Sequence, residues 1–345
     1  MSEVIPPLDP HKESLIASMP KVELHVHLEG TLEPELAFEL AARNSVALPY
    51  ADVPEMRAAY EFTDLQSFLD VYYASCAVLV TREDFRDLTI AYARRAAHDK
   101  VRHVEPFFDP QTHTARGVAL PTVIEGILDG LDAAEAEYGI TSGLVLSFLR
   151  DLSEESAEDT LAAAEPWLSR IVAVGLDSTE IGNPPEKFSR VYARARELGL
   201  HAVAHAGEEG GADIVERTLD VLHVDRIDHG VRAAYDPALV ARLARDGTPL
   251  TVCPNSNVRL RVFDRMADST LRELLRAGVR VTINSDDPAY FGGYIADNFR
   301  AACGALGLSR DELRQLGRNA IEGSFASDSR KAGLLGELES VFADG

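Results

Sequence analysis

The sequence has little of what marks an exported or membrane-bound protein. It contains three cysteines, Cys76, Cys253 and Cys303, and no Cys-x-x-Cys pair, so neither a disulfide framework nor a thiolate zinc site is indicated. The first twenty residues lack the apolar run of a signal peptide. No later stretch approaches the roughly 18 apolar residues that a membrane span needs. We therefore expect a cytoplasmic protein that makes no membrane contact.

Basic residues are also scarce, with 34 Lys and Arg against 56 Asp and Glu and a formal net charge of −22. Such a surface repels a phosphate backbone, so we expect no nucleic-acid partner. The acidity is otherwise sufficiently explained by solubility. Gly/Ser-rich and Pro-rich linkers are missing as well, and we predict one continuous domain over residues 1–345. Nothing in the sequence indicates an oligomeric state.

What the sequence does contain is a recurring pattern of short apolar runs, each followed by a polar cluster and a helical stretch. Eight such runs occur: VELHVH (22–27), VRHVEPFF (101–108), SGLVLSFL (142–149), RIVAVGLD (170–177), LHAVAH (200–205), DRIDH (225–229), PLTVC (249–253) and RVTINS (280–285). Buried parallel strands alternating with covering helices have this pattern. Eight repeats predict the α/β class and a (β/α)₈ TIM barrel.

The segments between the runs have helical composition and spacing. Helices are predicted over residues 187–199, 212–222, 236–246 and 268–277, with a helical tail over 309–342. The first interval is too long for one crossover helix, so further helices are expected at 31–44, 64–79 and 82–99. We predict that this insertion, about residues 31–99, forms a lid over one barrel mouth.

Four candidate metal ligands occur where three of these runs end. His25 and His27 are two residues apart on a strand, so both side chains point to the same side. His205 ends one run and Asp286 directly follows another. In a barrel these strand ends converge, and three imidazoles with one carboxylate suit Zn²⁺, although Fe²⁺ or Mn²⁺ would also be accepted. The plainer alternatives are a core histidine at 205 and a helix cap at 286.

One metal is expected rather than two. A binuclear hydrolase on this fold usually needs a bridging lysine late in the fourth strand, and the segment RIVAVGLDSTE contains none. One ion implies one activated water, whose pKa falls from about 15.7 to about 7.

Proton carriers are predicted beside these ligands. Glu208 lies three residues beyond His205, after a glycine that permits a tight turn, and its carboxyl can face the cavity without binding the metal. His229 ends the sixth run and could orient or deprotonate the metal's water. Asp287 follows Asp286 and would face the substrate. A solvated loop glutamate and an Asp-Asp helix start are the alternatives.

Five segments, ELHVHLEGTLEPEL, HAGEEG, RIDHG, VCPNSN and NSDDPAYFGGY, resemble the adenosine/adenine deaminase family in order and spacing, from about Lys21 to beyond Tyr294. The resemblance implies a (β/α)₈ barrel with one catalytic zinc. It also implies roles for single residues, namely zinc binding by His25, His27, His205 and Asp286, proton donation by Glu208, catalytic help from His229 and purine contact by Asp287.

Within that family, the segments 107–118, 175–188 and NSDDPAYFGGY are most similar to the adenine deaminase branch. This implies hydrolysis of the free base adenine to hypoxanthine and ammonia in purine salvage, with an activated hydroxide attacking C6 while Glu208 protonates N1. In the segment STEIGN, Glu180 could accept the N9 hydrogen of a free base. Gly182 is a second candidate for substrate contact, although a turn glycine explains it equally well.

Two other functions are also compatible with the sequence. The same motifs would serve a deaminase of adenosine, of a modified adenine or of aminodeoxyfutalosine, and a non-catalytic binding protein could keep the barrel without the chemistry. The other zinc deaminase design, with a His-x-Glu and a Pro-Cys-x-x-Cys signature, is absent, so base flipping on a nucleic acid is not indicated.

Overall fold

The computed structural model describes residues 7–343, and their strands lie on all eight predicted apolar runs. The strands are β1 (Lys21–Glu23), β2 (Val101–Val104), β3 (Phe107–Phe108), β4 (Thr141–Ser142), β5 (Leu144–Leu149), β6 (Ile171–Asp177), β7 (His201–Ala206), β8 (Arg226–His229), β9 (Leu250–Val252) and β10 (Val281–Ile283). The second and third runs each hold two short strands instead of one. Pro106, which has no N–H to donate, lies between β2 and β3.

Helices separate the strands and flank them. Those described are α1 (Pro10–Ser18), α2 (Pro34–Asn44), α3 (Val53–Ala58), α4 (Leu65–Cys76), α5 (Arg82–His98), α6 (Pro110–Thr114), α7 (Leu120–Tyr138), α8 (Glu154–Ala163), α9 (Ser189–Glu197), α10 (Ala212–Leu222), α11 (Pro237–Asp246), α12 (Pro254–Arg259), α13 (Leu271–Arg276), α14 (Pro288–Phe291), α15 (Ile295–Leu306), α16 (Arg310–Gly323) and α17 (Asp328–Ala343). The predicted helices are present, and the predicted tail is two helices. The short helices α3, α6, α12 and α14 were not predicted. None of the helices within residues 7–343 is long and apolar enough to cross a membrane.

All strand pairings are parallel, and together they build a (β/α)₈ barrel. One sheet has the order β1-β2-β4 and the other β10-β9-β8-β7-β6-β5-β3. Residues just beyond β1 connect the two, because Val26 bridges to Asp286 and His27 bridges to Phe107. The carboxyl ends of the strands therefore meet at one mouth, where barrel enzymes place their chemistry.

The barrel interior has an apolar layer and a buried ion pair. Phe107, Val145, Ala173 and Val203 pack together as a small cluster, separate from the large core between strands and helices. Nη1 of Arg226 lies 2.6 Å from Oε2 of Glu105, and neither side chain is exposed. Breaking such a pair would leave an uncompensated buried charge.

The interval between β1 and β2 holds four helices, α2 to α5. Helix α4 begins at a capping box in which Asp64 and Ser67 exchange hydrogen bonds. It buries Phe68, Leu69 and Tyr72 and packs against α6 and the turn at Glu29–Thr31. The insertion thus places an aromatic face beside the barrel mouth.

Candidate active site

Two histidines and an aspartate are held side by side at the mouth by backbone hydrogen bonds. The N–H of Asp286 donates to the carbonyl of His25 at 3.1 Å, and the N–H of His27 donates to the carbonyl of Asp286 at 2.9 Å. All three side chains are buried. Because the two chain segments run in parallel, the imidazoles and the carboxylate face one shared space.

Three pairs among the four predicted ligands lie close together. Nε2 of His27 lies 3.3 Å from Nε2 of His205. Oδ1 of Asp286 lies 3.1 Å from Nε2 of His25 and 3.5 Å from Nε2 of His27. Ligands bound at about 2.0–2.1 Å around a tetrahedral ion lie about 3.3 Å from one another. These three pairs therefore have the donor types and the spacing of ligands around one metal ion.

The protonation of these imidazoles also fits a metal. Burial lowers the pKa of His27, and burial with the neighbouring imidazoles lowers the pKa of His205 well below its usual value. Neutral imidazole is the form that binds metals. Nε2 of His25 is buried without a hydrogen-bond partner among residues 7–343, although a carboxylate oxygen lies nearby. A metal ion would satisfy this buried atom, which otherwise costs free energy.

Behind the ligands, a second row of polar groups orients His25. Its Nδ1 lies 2.9 Å from Oγ1 of Thr251, and that hydroxyl donates to Oδ1 of Asp228 at 2.8 Å. Since the hydroxyl proton is used toward the carboxylate, the hydroxyl oxygen accepts from Nδ1–H, and Nε2 keeps its lone pair for a metal. Both partners are fully buried.

His229 approaches the same centre from the end of β8. Its φ of 63° lies in the left-handed region, as does that of Asp286 at 65°, and such strain in non-glycine residues is concentrated at functional sites. Ligand atoms of His25, His205, His229 and Asp286 all lie within 4.8 Å of one another. However, Nδ2 of Asn257 lies 3.2 Å from Nδ1 of His229. An amide nitrogen can only donate, so Nδ1 accepts and Nε2 carries the proton.

Burial therefore leaves His229 as a neutral imidazole whose Nε2 faces the carboxyls of the site. Its pKa is lowered to about 3, chiefly by burial. Nε2 lies 3.5 Å from Oε2 of Glu208 and 3.8 Å from Oδ2 of Asp286. This position suits a group that orients a small polar molecule between the two carboxyls.

Glu208 follows β7 in a turn and is buried at the edge of the ligand cluster. Burial, with the facing charge of Asp286, raises the pKa of the Glu208 carboxyl well above its usual value. Its Oε1 is buried and has no hydrogen-bond partner among the described residues. A protonated carboxyl with a free oxygen beside the metal ligands is equipped to donate a proton.

Asp287 is a second buried acid on the cavity wall. Burial, with the charge of Asp286, raises its pKa well above the usual range, and its Oδ1 has no partner within residues 7–343. Gly30 lies directly against it, since a Cβ at residue 30 would be 2.0 Å from Oδ1 of Asp287. The absence of a side chain at residue 30 therefore lets this carboxyl occupy its place.

A cavity at the barrel mouth connects these groups. Its lining combines an apolar wall with the acids and imidazoles described above. The apolar and aromatic residues are Leu65, Phe68, Leu69, Tyr72, Tyr73 and Leu260, and the polar residues are His27, Asp109, Asp177, Ser178, His205, Glu208, His229, Asp286 and Asp287. Such a cavity fits a flat ring that carries several hydrogen-bonding atoms.

The family model for adenosine deaminase matches residues 20–341, which includes every strand and every ligand described above. The chain belongs to the adenosine deaminase family. A solved adenine deaminase from Arthrobacter aurescens superposes with a TM-score of 0.93 at 53% identity, covering 95% of this chain and all of that one. A Burkholderia ambifaria amidohydrolase structure with bound Zn superposes at 0.88 with 26% identity, covering 98% and 95% of the two chains.

Curated relatives match the sequence of this chain along almost their whole length. An adenine deaminase of Sphingopyxis alaskensis is 59% identical over 332 residues, covering 96% of this chain and 97% of its own. An adenine deaminase of Caulobacter vibrioides is 52% identical over 328 residues, covering 95% of each chain. The predicted family and barrel are thereby confirmed.

Two predicted substrate contacts are not brought to the cavity. Both carboxylate oxygens of Glu180 accept backbone N–H groups of residues 207–210, so neither oxygen is left for a ring nitrogen. Gly182 lies in an exposed turn with a φ of 81°. Neither residue lines the cavity. The spacing of the STEIGN segment alone could not show that its acid faces the backbone of the next loop.

Two acids of the cavity wall, Asp109 and Asp177, were not identified from the sequence. Asp109 follows β3 and accepts a hydrogen bond from the hydroxyl of Tyr72 at 3.2 Å. Asp177 ends β6, and its Oδ2 lies 3.7 Å from Nδ1 of His27. Both acids lie at strand ends, so the signal that identified Asp286 could have found them too. Thr251 and Asp228 lie within strands, where the alternation of side chains places them inside the barrel.

Proposed function

We propose that this member of the family hydrolyses adenine to hypoxanthine and ammonia in purine salvage. The observation that carries the proposal is the placement of the buried Glu208 carboxyl beside a cluster of His and Asp side chains that could hold a metal, in one cavity. Identity of 52–59% to adenine deaminases over nearly full length supports the free base as substrate.

We further propose that His25, His27, His205 and Asp286 hold one ion, with Zn²⁺ the first choice and Fe²⁺ or Mn²⁺ as alternatives. The spacing of their nitrogen and oxygen atoms supports this set, and a related structure contains Zn. A bound ion of this type lowers the pKa of a water to about 7 and so supplies a nucleophile at neutral pH.

In this proposal Glu208 donates its proton to N1 of adenine while the water oxygen bonds to C6. Protonation of N1 prevents negative charge from building up on the ring. The Glu208 carboxylate then regains a proton from the attacking water. As the C6 carbonyl forms, the remaining water proton passes to the amine, which leaves as ammonia.

His229 and Asp287 complete the proposed site. The Nε2–H of His229 points between two carboxyls and orients the water that attacks C6. Asp287 contacts the edge of the purine, because this residue lines the cavity and its carboxyl has an oxygen, Oδ1, without a partner among residues 7–343. Both roles use groups whose hydrogen-bonding capacity the protein leaves open.

The whole chain acts, in our proposal, as one catalytic domain in which residues 31–99 form a lid. Helix α4 of this insertion supplies Phe68, Leu69 and Tyr72 to the cavity wall, and exclusion of water there would protect the reaction. We place the enzyme in the cytoplasm, since its three cysteines are buried free thiols, which a reducing compartment maintains.

A substrate panel tests the proposal. Adenine, adenosine, N6-methyladenine and aminodeoxyfutalosine are compared by ammonia release and by the ultraviolet change from aminopurine to oxopurine. We expect adenine to have the highest kcat/KM. If a nucleoside has the highest kcat/KM, that nucleoside replaces adenine as the proposed substrate. A metal-loaded protein that binds adenine without releasing ammonia would indicate a binding protein instead of an enzyme.

A further inference from the structure

The turn that carries Glu208 is bound by a carboxylate from the preceding loop. Glu180 follows β6, and its carboxylate accepts four backbone N–H groups. Oε2 accepts from Gly207 at 3.0 Å and from Gly210 at 3.3 Å, while Oε1 accepts from Glu208 at 2.9 Å and from Glu209 at 3.1 Å. Hydrogen bonds to an ionised acceptor are about twice as strong as neutral ones, so the carboxylate holds four consecutive amides.

The contact runs in both directions between the two loops. The carboxylate of Glu209 accepts the N–H of Glu180 at 2.8 Å and the hydroxyl of Thr179 at 3.0 Å. Strands β6 and β7, which carry these loops, are parallel neighbours. The turn at residues 207–210 is therefore attached to the end of β6 by backbone N–H groups and carboxylates from both sides.

Arg150 also stabilises the contact between these two loops. Its guanidinium is fully buried and donates to the carbonyl of His205 at 2.8 Å and to the carbonyl of Asn183 at 2.8 and 3.1 Å. The chain is thus held on both sides of the turn, at His205 before it and at the Glu180 loop beside it.

The side chain of Glu208 has no comparable support of its own. Oε1 has no hydrogen-bond partner within residues 7–343, and Oε2 lies 3.5 Å from His229, beyond the usual hydrogen-bond distance. The direction of this carboxyl is therefore determined by its backbone. Glu180 holds that backbone through four amides, and Nε of Arg232 donates to the carbonyl of Glu208 at 2.8 Å. Gly207, with a φ of 77°, provides the turn but cannot by itself restrain it.

We infer that Glu180 is a positioning residue whose carboxylate, by binding the amides of residues 207–210, aims the carboxyl of Glu208 at the substrate ring. This inference rests on the proposed function of Glu208 as proton donor. The acid at residue 180 is then explained by its hold on this turn and not by direct contact with the purine. Because Glu180 acts through Glu208, its loss should affect the chemical step and leave substrate binding nearly unchanged.

The test is a double-mutant cycle on adenine turnover, with Glu180→Gln and Glu208→Gln made singly and together in the metal-loaded enzyme. Glutamine at residue 180 turns an NH₂ group toward two N–H donors, and a displacement of about 1 Å at the donor can cost about 100-fold in rate. We expect kcat to fall about 100-fold with KM within roughly twofold. In the Glu208→Gln background, Glu180→Gln should have little further effect, because the group it positions is already gone.

Hydrogen exchange of the amides of residues 207–210 gives a second readout that does not depend on activity. These four amides should exchange faster in Glu180→Gln than in the wild type, with unchanged metal content. Glu186→Gln, a nearby substitution that alters only an exposed pair with Arg217, is the matched control and should change neither readout. If Glu180→Gln does not fold, Glu180→Asp enters the same cycle with the charge kept and the reach shortened.

Three results would overturn the inference: an equal loss of kcat in both backgrounds, unchanged exchange at residues 207–210, or a rise in KM alone. The last would restore direct substrate contact by Glu180. A wild-type protein inert on adenine would instead contradict the proposed function, and the exchange measurement would still report on the role of Glu180 in holding the turn.

Discussion

Replacing Glu208 with glutamine removes the acidic proton of this side chain and leaves its shape almost unchanged. The substitution breaks no hydrogen bond of Oε1, which has no partner among the described residues, and the backbone is held separately through Glu180 and Arg232. Burial raises the pKa of the native carboxyl and so favours its neutral form, which a neutral amide resembles. We expect the free energy of unfolding to change by less than about 1 kcal/mol.

The effect on catalysis should be much larger. A positioned general acid contributes about 10²–10⁴-fold to rate, equivalent to roughly 3–5 kcal/mol of activation free energy. Glu208→Gln should therefore lower kcat for adenine by that factor, with KM little changed, because the proton is needed at N1 only during the reaction. Steady-state kinetics by ultraviolet absorbance measure both constants. Glu137→Gln, an exposed substitution on α7, is the control, and near-full turnover by Glu208→Gln would refute the assignment.

Three further substitutions test the surroundings of the site. Gly30→Ala places a Cβ 2.0 Å from Oδ1 of Asp287 and 2.8 Å from its Cα, so KM for adenine should rise and calorimetry should show a loss of about 1–3 kcal/mol. Phe68→Ala removes a buried ring from the cavity wall and should cost about 3–5 kcal/mol in urea unfolding. Burial opposes the ionisation of Glu105, but the charge of Arg226 outweighs it and lowers the pKa of this carboxyl to about 2. Glu105→Gln should therefore cost about 3 kcal/mol at pH 7, and the difference from wild type should shrink as the pH falls from 4.5 toward 2.

The barrel could be predicted because each of its strands carries a local signal. A buried parallel strand requires a short apolar run, and all eight runs contain strands. The split of residues 101–108 into β2 and β3 follows from Pro106 and could have been anticipated from its missing N–H. The short helices α6, α12 and α14 were harder to predict, because each has four to six residues, too few to show helical periodicity.

The convergence of the proposed metal ligands could be predicted for a similar reason. His25 and His27 have a spacing that determines their common direction, and His205 and Asp286 lie at strand ends that any barrel brings together. Glu180 has no such constraint. The same loop sequence allows its acid to face either the substrate or the neighbouring backbone. The direction of Glu180 follows from the positions of the four amide groups it binds, which only the structure shows.

The central claim, one metal ion serving one adenine site, is tested most directly by titrating metal into depleted protein. The enzyme is stripped with a chelator, Zn²⁺ is added in known amounts, and adenine turnover is measured beside bound metal. Activity should be lost on depletion and return in proportion to metal, reaching its maximum at about one ion per chain, as expected for a single set of four ligands. Full turnover by the metal-free protein, or a requirement for two ions per chain, would contradict the account.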